Sequence, residues 1–261
     1  MGRYAFLTVA LTLTLVAGAC APMISAMVSN DLTQSLSVGA KPALSVELDS
    51  GSVTVTRGPS GRIDIAATRR AAGQAALNAL FLDIGRDGDR VRIVFRRSAD
   101  ALANQSVTLR ITVPENTAIS IALGAGSVSI SDTSEGATVR TGAGSITMRD
   151  VRGALEAVTG AGDIEIWAAD GQVRAESSAG SVKAEGLFSG SCRLATAAGG
   201  VTVRLYPNAG LRVSARGLSV RDEMGIKVSA DGREATGVVG DGSRGTLEAL
   251  AVAGRIELLK R

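Results

Sequence analysis

Ala125-Gly126-Ser127-Val128, Ala143-Gly144-Ser145-Ile146, Ala161-Gly162-Asp163-Ile164 and Ala179-Gly180-Ser181-Val182 recur at a step of 18 residues, and a fifth copy, Ala198-Gly199-Gly200-Val201, follows after 19. A constant period near 20 residues marks a solenoid, in which one coil cannot bury its apolar face until a neighbour stacks on it. Behind each Gly-x pair the residues alternate strictly. Val128/Ile130, Ile146/Met148, Ile164/Ile166, Val182/Ala184 and Val201/Val203 fall on one face, and Ser129, Thr147, Glu165, Lys183 and Thr202 on the other. That is the pattern of half-buried strands, so the aliphatic set is expected to point inward. A second arm follows a glycine in each coil, as in Gly153-Ala154-Leu155, Gly171-Gln172-Val173 and Gly190-Ser191-Cys192, which puts Leu155, Val173 and Cys192 at one stacked interior position. Gly126, Gly144, Gly162, Gly180 and Gly199 are the predicted structural corners, because glycine accepts positive φ without a Cβ clash. The fold class read from this pattern is all-β: a single-stranded parallel β-solenoid (β-helix) with coils of about 18 residues and irregular capping coils. In this register Glu165 neighbours Lys183 and Glu156 neighbours Arg174.

Outside the repeats the chain divides by composition. Residues 1–19 read as a signal peptide: Arg3 is a minimal basic start, Ala5 to Val16 is apolar, and Ala17-Gly18-Ala19 precede Cys20. The apolar run is too short to span a bilayer. Small residues directly before a cysteine resemble a bacterial lipobox, whose cleavage leaves Cys20 as the lipidation site. Ala17-Gly18-Ala19 also satisfies ordinary Ala-x-Ala cleavage at the same bond, which would leave a free thiol. Residues 20–40 read as a lipidated N-terminus and polar tether. Residues 41–261 read as the β-solenoid domain, with an N-terminal cap and lead-in coils over 41–118, regular coils over 119–205, and C-terminal coils and cap over 206–261. Within the first cap, Phe81–Ile84 and Val91–Phe95 bracket Arg86-Asp87-Gly88-Asp89, a hairpin signal, and a short helix or loop is expected around Ala71 to Leu80.

Composition excludes several classes of function. With 28 basic and 25 acidic residues the chain lacks the concentrated positive field that nucleic acid requires. Two cysteines, one of them in the lipobox, leave no disulfide framework. There is no histidine, which removes Ser-His and Cys-His nucleophile pairs and the commonest transition-metal ligand.

The opening Val46-Glu47-Leu48-Asp49-Ser50-Gly51-Ser52-Val53, the stretch Ile111-Thr112-Val113-Pro114-Glu115-Asn116-Thr117, the Gly-Ser/Asp-Val/Ile coils and Gly240-Asp241-Gly242 together resemble the bacterial β-strand-repeat family known as "putative adhesins", of unknown function. The resemblance covers about residues 42–260. It implies a parallel β-solenoid in the cell envelope and supplies no catalytic residues.

Three chemistries remain to be weighed on the residues. Asp163, Glu165, Asp170 and Glu176 are the carboxylates that a polysaccharide-cleaving β-helix would use, and this is the alternative to a purely binding role. Calcium repeats of nine-residue period need an aspartate in every turn, and here only Asp163-Ile164-Glu165 supplies carboxylates, so no metal is expected. Arg90, Arg92, Arg96 and Arg97 are a candidate contact for an anionic surface such as lipopolysaccharide phosphate, against the simpler reading of a charged edge that discourages aggregation. The sequence therefore reads as a membrane-anchored, non-enzymatic lipoprotein of the bacterial cell envelope, placed at the outer membrane and facing periplasm or exterior. Its expected partners are the membrane, through the lipid anchor, and an envelope protein or glycan met by the repeat surface. No cofactor, nucleic acid or small-molecule substrate is expected.

Overall fold

A computed structural model describes residues 27–97 and 105–261. The N-terminal side contains β1 (Met27–Ser37), β2 (Ala43–Arg57), β3 (Arg62–Ala72), the short helix α1 (Gln74–Asn78), β4 (Leu80–Asp87), β5 (Arg90–Arg97) and β6 (Ser106–Val113). The middle follows as β7 (Ala118–Ala125), β8 (Val128–Thr133), β9 (Ala137–Ala143), β10 (Ile146–Val151), β11 (Leu155–Ala161), β12 (Ile164–Gly171), β13 (Val173–Ala179), β14 (Val182–Phe188), β15 (Gly190–Ala198) and β16 (Val201–Leu205). The C-terminal side holds β17 (Leu211–Arg216), β18 (Ser219–Asp222), β19 (Lys227–Val228), β20 (Glu234–Val239), β21 (Gly245–Ala253) and β22 (Arg255–Lys260).

These strands form a long, mostly parallel sheet wound back on itself into a solenoid shape. In the middle, successive strands alternate between two walls. β8, β10, β12, β14 and β16 stack in parallel in wall A, and β7, β9, β11, β13 and β15 in wall B. Alternation in the sequence becomes columns in the core. Val128, Ile146, Ile164, Val182 and Val201 are consecutive ladder partners and all are buried. On the facing wall Ala137, Leu155 and Val173 form the matching column. Cys192 continues it, buried, with the Val173 N–H donating to its Sγ at 3.4 Å.

The ends depart from a simple sequential stack. β2 supplies a whole winding by itself: Ala43–Leu48 run in wall B and Gly51–Arg57 in wall A. It lies between β5/β6 on its outer side and β7/β8 on its inner side, so the chain makes the outermost winding later than the one inside it. The other end mirrors this. β21/β22 stack directly on β15/β16, and β17/β18, made earlier, lie outside them. Chain order and spatial order therefore differ at this end: β6 precedes β7 and β8 in the chain, yet β2 lies between β6 and β8.

A parallel winding at the end of a stack presents unpaired N–H and C=O groups, and antiparallel strands cover most of them here. β3 pairs with β6 and β1 with β3 on wall A, while the predicted hairpin β4–β5 closes wall B. At the far end β20 pairs with β17 and β19 with β20. Between β3 and β4, α1 carries Leu77 into the end of the core. The tether reading over 20–40 differs from the structure within the described residues, since Met27–Ser37 is a strand in continuous register with β3. Its Leu36 and Val28 pack against the core, which gives this polar-looking segment a reason to be fixed.

Stacking also explains the corners. Gly126, Gly144, Gly162, Gly180 and Gly199 have φ between 129° and 144°. A Cβ built on Gly144 would overlap the carbonyl oxygen of Gly126, and one on Gly162 that of Gly144. Gly144→Ala is therefore expected to lower stability by more than about 3 kcal/mol, whereas Gly61→Ala, at φ 79° with open space around it, should cost about 1 kcal/mol. Chemical denaturation of the two variants makes the comparison. The inside-outside assignment is checked by Val182→Asp, which puts a carboxylate into the aliphatic column and should prevent stable folding, against Lys183→Ser, which should change stability by less than about 1 kcal/mol.

Candidate interaction surface

Two outward rows of wall B run the length of the stack. One comprises Glu47, Ala122, Arg140, Val158, Glu176, Ala195 and Leu250, each the ladder partner of the next. The second row, two residues further along each strand, is small: Gly124, Gly142, Gly160, Ser178 and Ala197. At its three glycines the reason is steric: a Cβ on Gly124 would meet the Asp49 carbonyl, and one on Gly142 or Gly160 the carbonyl of the glycine below, at 2.6 Å or less. The wall is consequently hollowed along its corner. A recess of about 690 Å³ spans Glu47 to Val158, and a second of about 270 Å³ runs from Val158 to Val252, so that one open groove follows the axis. Its far end is apolar, with Val252 63% exposed beside Leu250 and Ala197.

The charged side chains along this groove are already matched. Arg96 meets Glu47 at 3.2 Å and Asp49 at 3.6 Å, Arg140 meets Glu156 at 2.8 Å, and Arg193 meets Glu176 at 3.1 Å and Glu248 at 2.5 Å. The hydrogen bond and charge of Glu248 raise the affinity of the Arg193 guanidinium for its proton. The expected neighbour pair Glu156–Arg174 exists in register, but the ion pairs run elsewhere: Arg174 turns to Glu176 in its own strand. Exposed pairs of this kind contribute about 0.2–1 kcal/mol each, so they hold the relief of the surface more than the fold.

The other residues singled out in the sequence fall in separate places. Arg92 and Arg96 share the outer face of β5, and both reach Glu47 on β2, so their charge is locally balanced. Arg90 is exposed at the start of β5 and Arg97 ends it. Asp163 and Glu165 sit on wall A: the Ser181 N–H donates to Asp163 Oδ1 at 2.7 Å, and Glu165 pairs with Lys183 at 3.0 Å. Asp170 lies 3.7 Å from Arg244 and Glu176 is on wall B, so the four carboxylates do not converge. Among the described residues no cluster of three or more His, Cys, Asp or Glu side chains is placed to hold a metal ion, and no helix is long and apolar enough to cross a membrane. Cys20 lies outside the described residues. Burial pushes the Cys192 thiol above its ordinary range, where it is a poor nucleophile. Trp167 and Tyr206 each lie under a guanidinium, Arg204 at 5.8 Å and Arg261 at 4.8 Å from the ring centres.

One column escapes a reading of the sequence alone. Thr141, Thr159, Ser177 and Thr196 are buried although polar. Thr159 Oγ1 donates to the Gly144 carbonyl at 3.0 Å, Ser177 Oγ to Gly162 at 2.9 Å and Thr196 Oγ1 to Gly180 at 2.7 Å. Each of these last three hydroxyls thus serves a corner glycine of the winding below, whose peptide is turned by its positive φ. The signal for it is Thr141-Gly142-Ala143-Gly144 and Thr159-Gly160-Ala161-Gly162, where the hydroxyl recurs with the corner.

The chain is thus a wound repeat protein with a groove along one wall. The Toastrack DUF4097 family model matches residues 42–215, and the chain belongs to that family. No curated protein matches the chain in sequence. Among solved structures it is similar to a "putative cell adhesion protein" from Clostridium sporogenes, at 12% identity over 89% of this chain and 100% of the other, TM-score 0.39. It is also similar to a "putative adhesin" from Bacteroides fragilis, at 11% identity over 89% of this chain and 97% of the other, TM-score 0.36.

The hydroxyl column gives a paired test. Thr159→Val should cost about 1–3 kcal/mol by stranding the Gly144 carbonyl, while Thr141→Val, which removes a buried hydroxyl without a partner among the described residues, should be neutral or stabilising. Equal losses in denaturant titrations would show that the hydroxyls do not serve the corners.

Proposed function

We propose that this chain is a lipid-anchored, non-enzymatic β-solenoid of the bacterial cell envelope, its coils of about 18 residues presenting a repeat surface on which an extended envelope macromolecule docks. The observation that supports this most is the groove on wall B. It is long and shallow, it is bedded by residues that must be small for the coils to stack, and its charged rim is matched internally. Such a surface suits contact spread over many weak steps along a linear chain, rather than a reaction at one point. A catalytic acid pair needs two carboxylates facing a common substrate atom, and Asp163, Glu165, Asp170 and Glu176 are tied to separate partners. Cys20, lipidated after removal of residues 1–19, would hold the domain at the outer membrane, facing periplasm or exterior, since two or more acyl chains make anchoring stable. Arg96 lines the groove's first recess, Arg92 shares its partner Glu47, and Arg90 and Arg97 stand at the two ends of the same strand. Lipid A phosphate or another anion met there would compete with Glu47 and Asp49 for the guanidinium groups.

The test uses peptidoglycan sacculi and purified lipopolysaccharide as probes. Binding to one of them is expected to weaken at least tenfold in Val158→Trp, which fills the groove from its exposed side, and to be unchanged in Lys183→Ser on wall A. Equal binding by both variants, or none by the wild type, overturns the docking role, and release of new reducing ends identifies an enzyme instead. Independently, Cys20→Ala should move the chain from the detergent phase to the aqueous phase on phase partition.

A further inference from the structure

The four sheet edges at the two ends of the stack are not treated alike. On wall A at the C-terminal end, β18 is only four residues long, and its Val220 N–H is taken by the Gly232 carbonyl. On wall B at that end, β19 is two residues long. On wall B at the N-terminal end, β4 is eight residues long and carries Asp83, Arg86 and Asp87. Short strands, covering loops and charges are the usual means of blocking edge-to-edge pairing. The remaining edge, β1, is long, nearly uncharged and left uncovered by any strand among the described residues. Its eleven residues run in unbroken register with β3, contain no Lys, Arg, Pro or Gly and a single charge, Asp31, and no strand among the described residues pairs with the outer edge.

The sequence of β1 is also chemically symmetric about Leu32. Reading outward, Asp31 matches Thr33, Asn30 matches Gln34, Ser29 matches Ser35, and Val28 matches Leu36. A strand that pairs antiparallel with a second copy of itself about a two-fold axis sets each residue opposite its mirror position. With the axis at Leu32, aliphatic meets aliphatic at Val28/Leu36 and at Leu32 itself, amide meets amide, and each Asp31 carboxylate accepts from a Thr33 hydroxyl. A slip by two residues toward the N-terminus sets Asp31 against Asp31 and leucine against asparagine, and a slip the other way sets Leu32 against Gln34. Both oppose unlike groups, so the register centred on Leu32 is favoured over its two nearest neighbours. The side chains on β1 are already steadied from behind, because Thr68 Oγ1 donates to Asp31 at 2.7 Å and Arg69 Nη2 donates to Asn30 Oδ1 at 2.7 Å. Leu32, at the proposed axis, is 40% exposed.

We infer that β1 is a homodimerisation strand, through which two copies of the chain join their wall A sheets edge to edge about a two-fold axis at Leu32. The occupant of the edge is a second copy of this chain, because its own β1 supplies the matched series.

Sedimentation of the full chain over a range of concentrations tests this, together with three variants. The wild type is expected to show a monomer–dimer equilibrium. Leu32→Lys sets two ammonium groups face to face and should raise the dissociation constant at least tenfold. Thr33→Lys sets an ammonium opposite the partner's Asp31 and should lower it several-fold, a gain that misfolding cannot imitate. Phe81→Lys, on the β4 edge, should leave it unchanged. Register is read by mixing Ser29→Cys and Ser35→Cys variants, each also carrying Cys20→Ala: a disulfide should form in the mixture and in neither variant alone. A wild type that stays monomeric throughout, or a dimer that responds to Phe81→Lys and not to the β1 variants, overturns the inference.

Discussion

Backbone hydrogen bonds in this fold run along the stack, from each winding to the ones above and below, and the distance between windings is the constraint that everything else obeys. At the corners it brings backbone within reach of backbone, so that the Gly126, Gly144 and Gly162 positions have room for no side chain at all. The same closeness demands small residues at Gly124, Gly142 and Gly160, and the groove on wall B is their outer trace. The feature that best fits a docking role is thus produced by the requirement of stacking. A shallow channel along the axis is what a tightly wound solenoid leaves where two adjacent rows differ in bulk.

Tight winding also sets a satisfaction problem. A corner peptide turned by positive φ directs its carbonyl away from the ladder, and in a dry interior that oxygen needs a donor. Thr159, Ser177 and Thr196 supply it from the next winding, so one polar column is threaded through an aliphatic core without leaving its acceptors alone. The first corner of the series is different. Leu123 stands where the later coils have a hydroxyl, and Thr141 has no partner among the described residues, which sets the first windings apart from those served by Thr159, Ser177 and Thr196.

Much of this is legible in the residues themselves. The alternation of Val182-Lys183-Ala184 specifies which side chain is inside, and Gly-Ser-Val recurring at constant step specifies which strands stack. Asp87-Gly88 signals the β4–β5 hairpin. Spatial order at the ends is not legible, because a ladder partner is chosen by edge availability, and Val53 fits beside Leu109 as well as beside Val128. Nor is β1: Ser29, Asn30, Asp31, Thr33 and Ser35 look like a solvated tether, and only the even spacing of Val28, Leu32 and Leu36 hints at a strand. The groove stays hidden for another reason. It is made of absent atoms, and a glycine required by a neighbour's carbonyl reads in sequence like a glycine required by a turn.

The inverted order at the two ends has a bearing on how such a chain is made. β21 and β22 are synthesised after β17 and β18, yet they occupy an inner berth, with the earlier pair beyond them. A growing polypeptide can therefore lay down its central turns one by one but cannot seal its far end as it emerges. A later segment has to slip between portions already born, so this end of the stack closes only once β22 has been made, and a nascent product that stops at β18 is not a finished object.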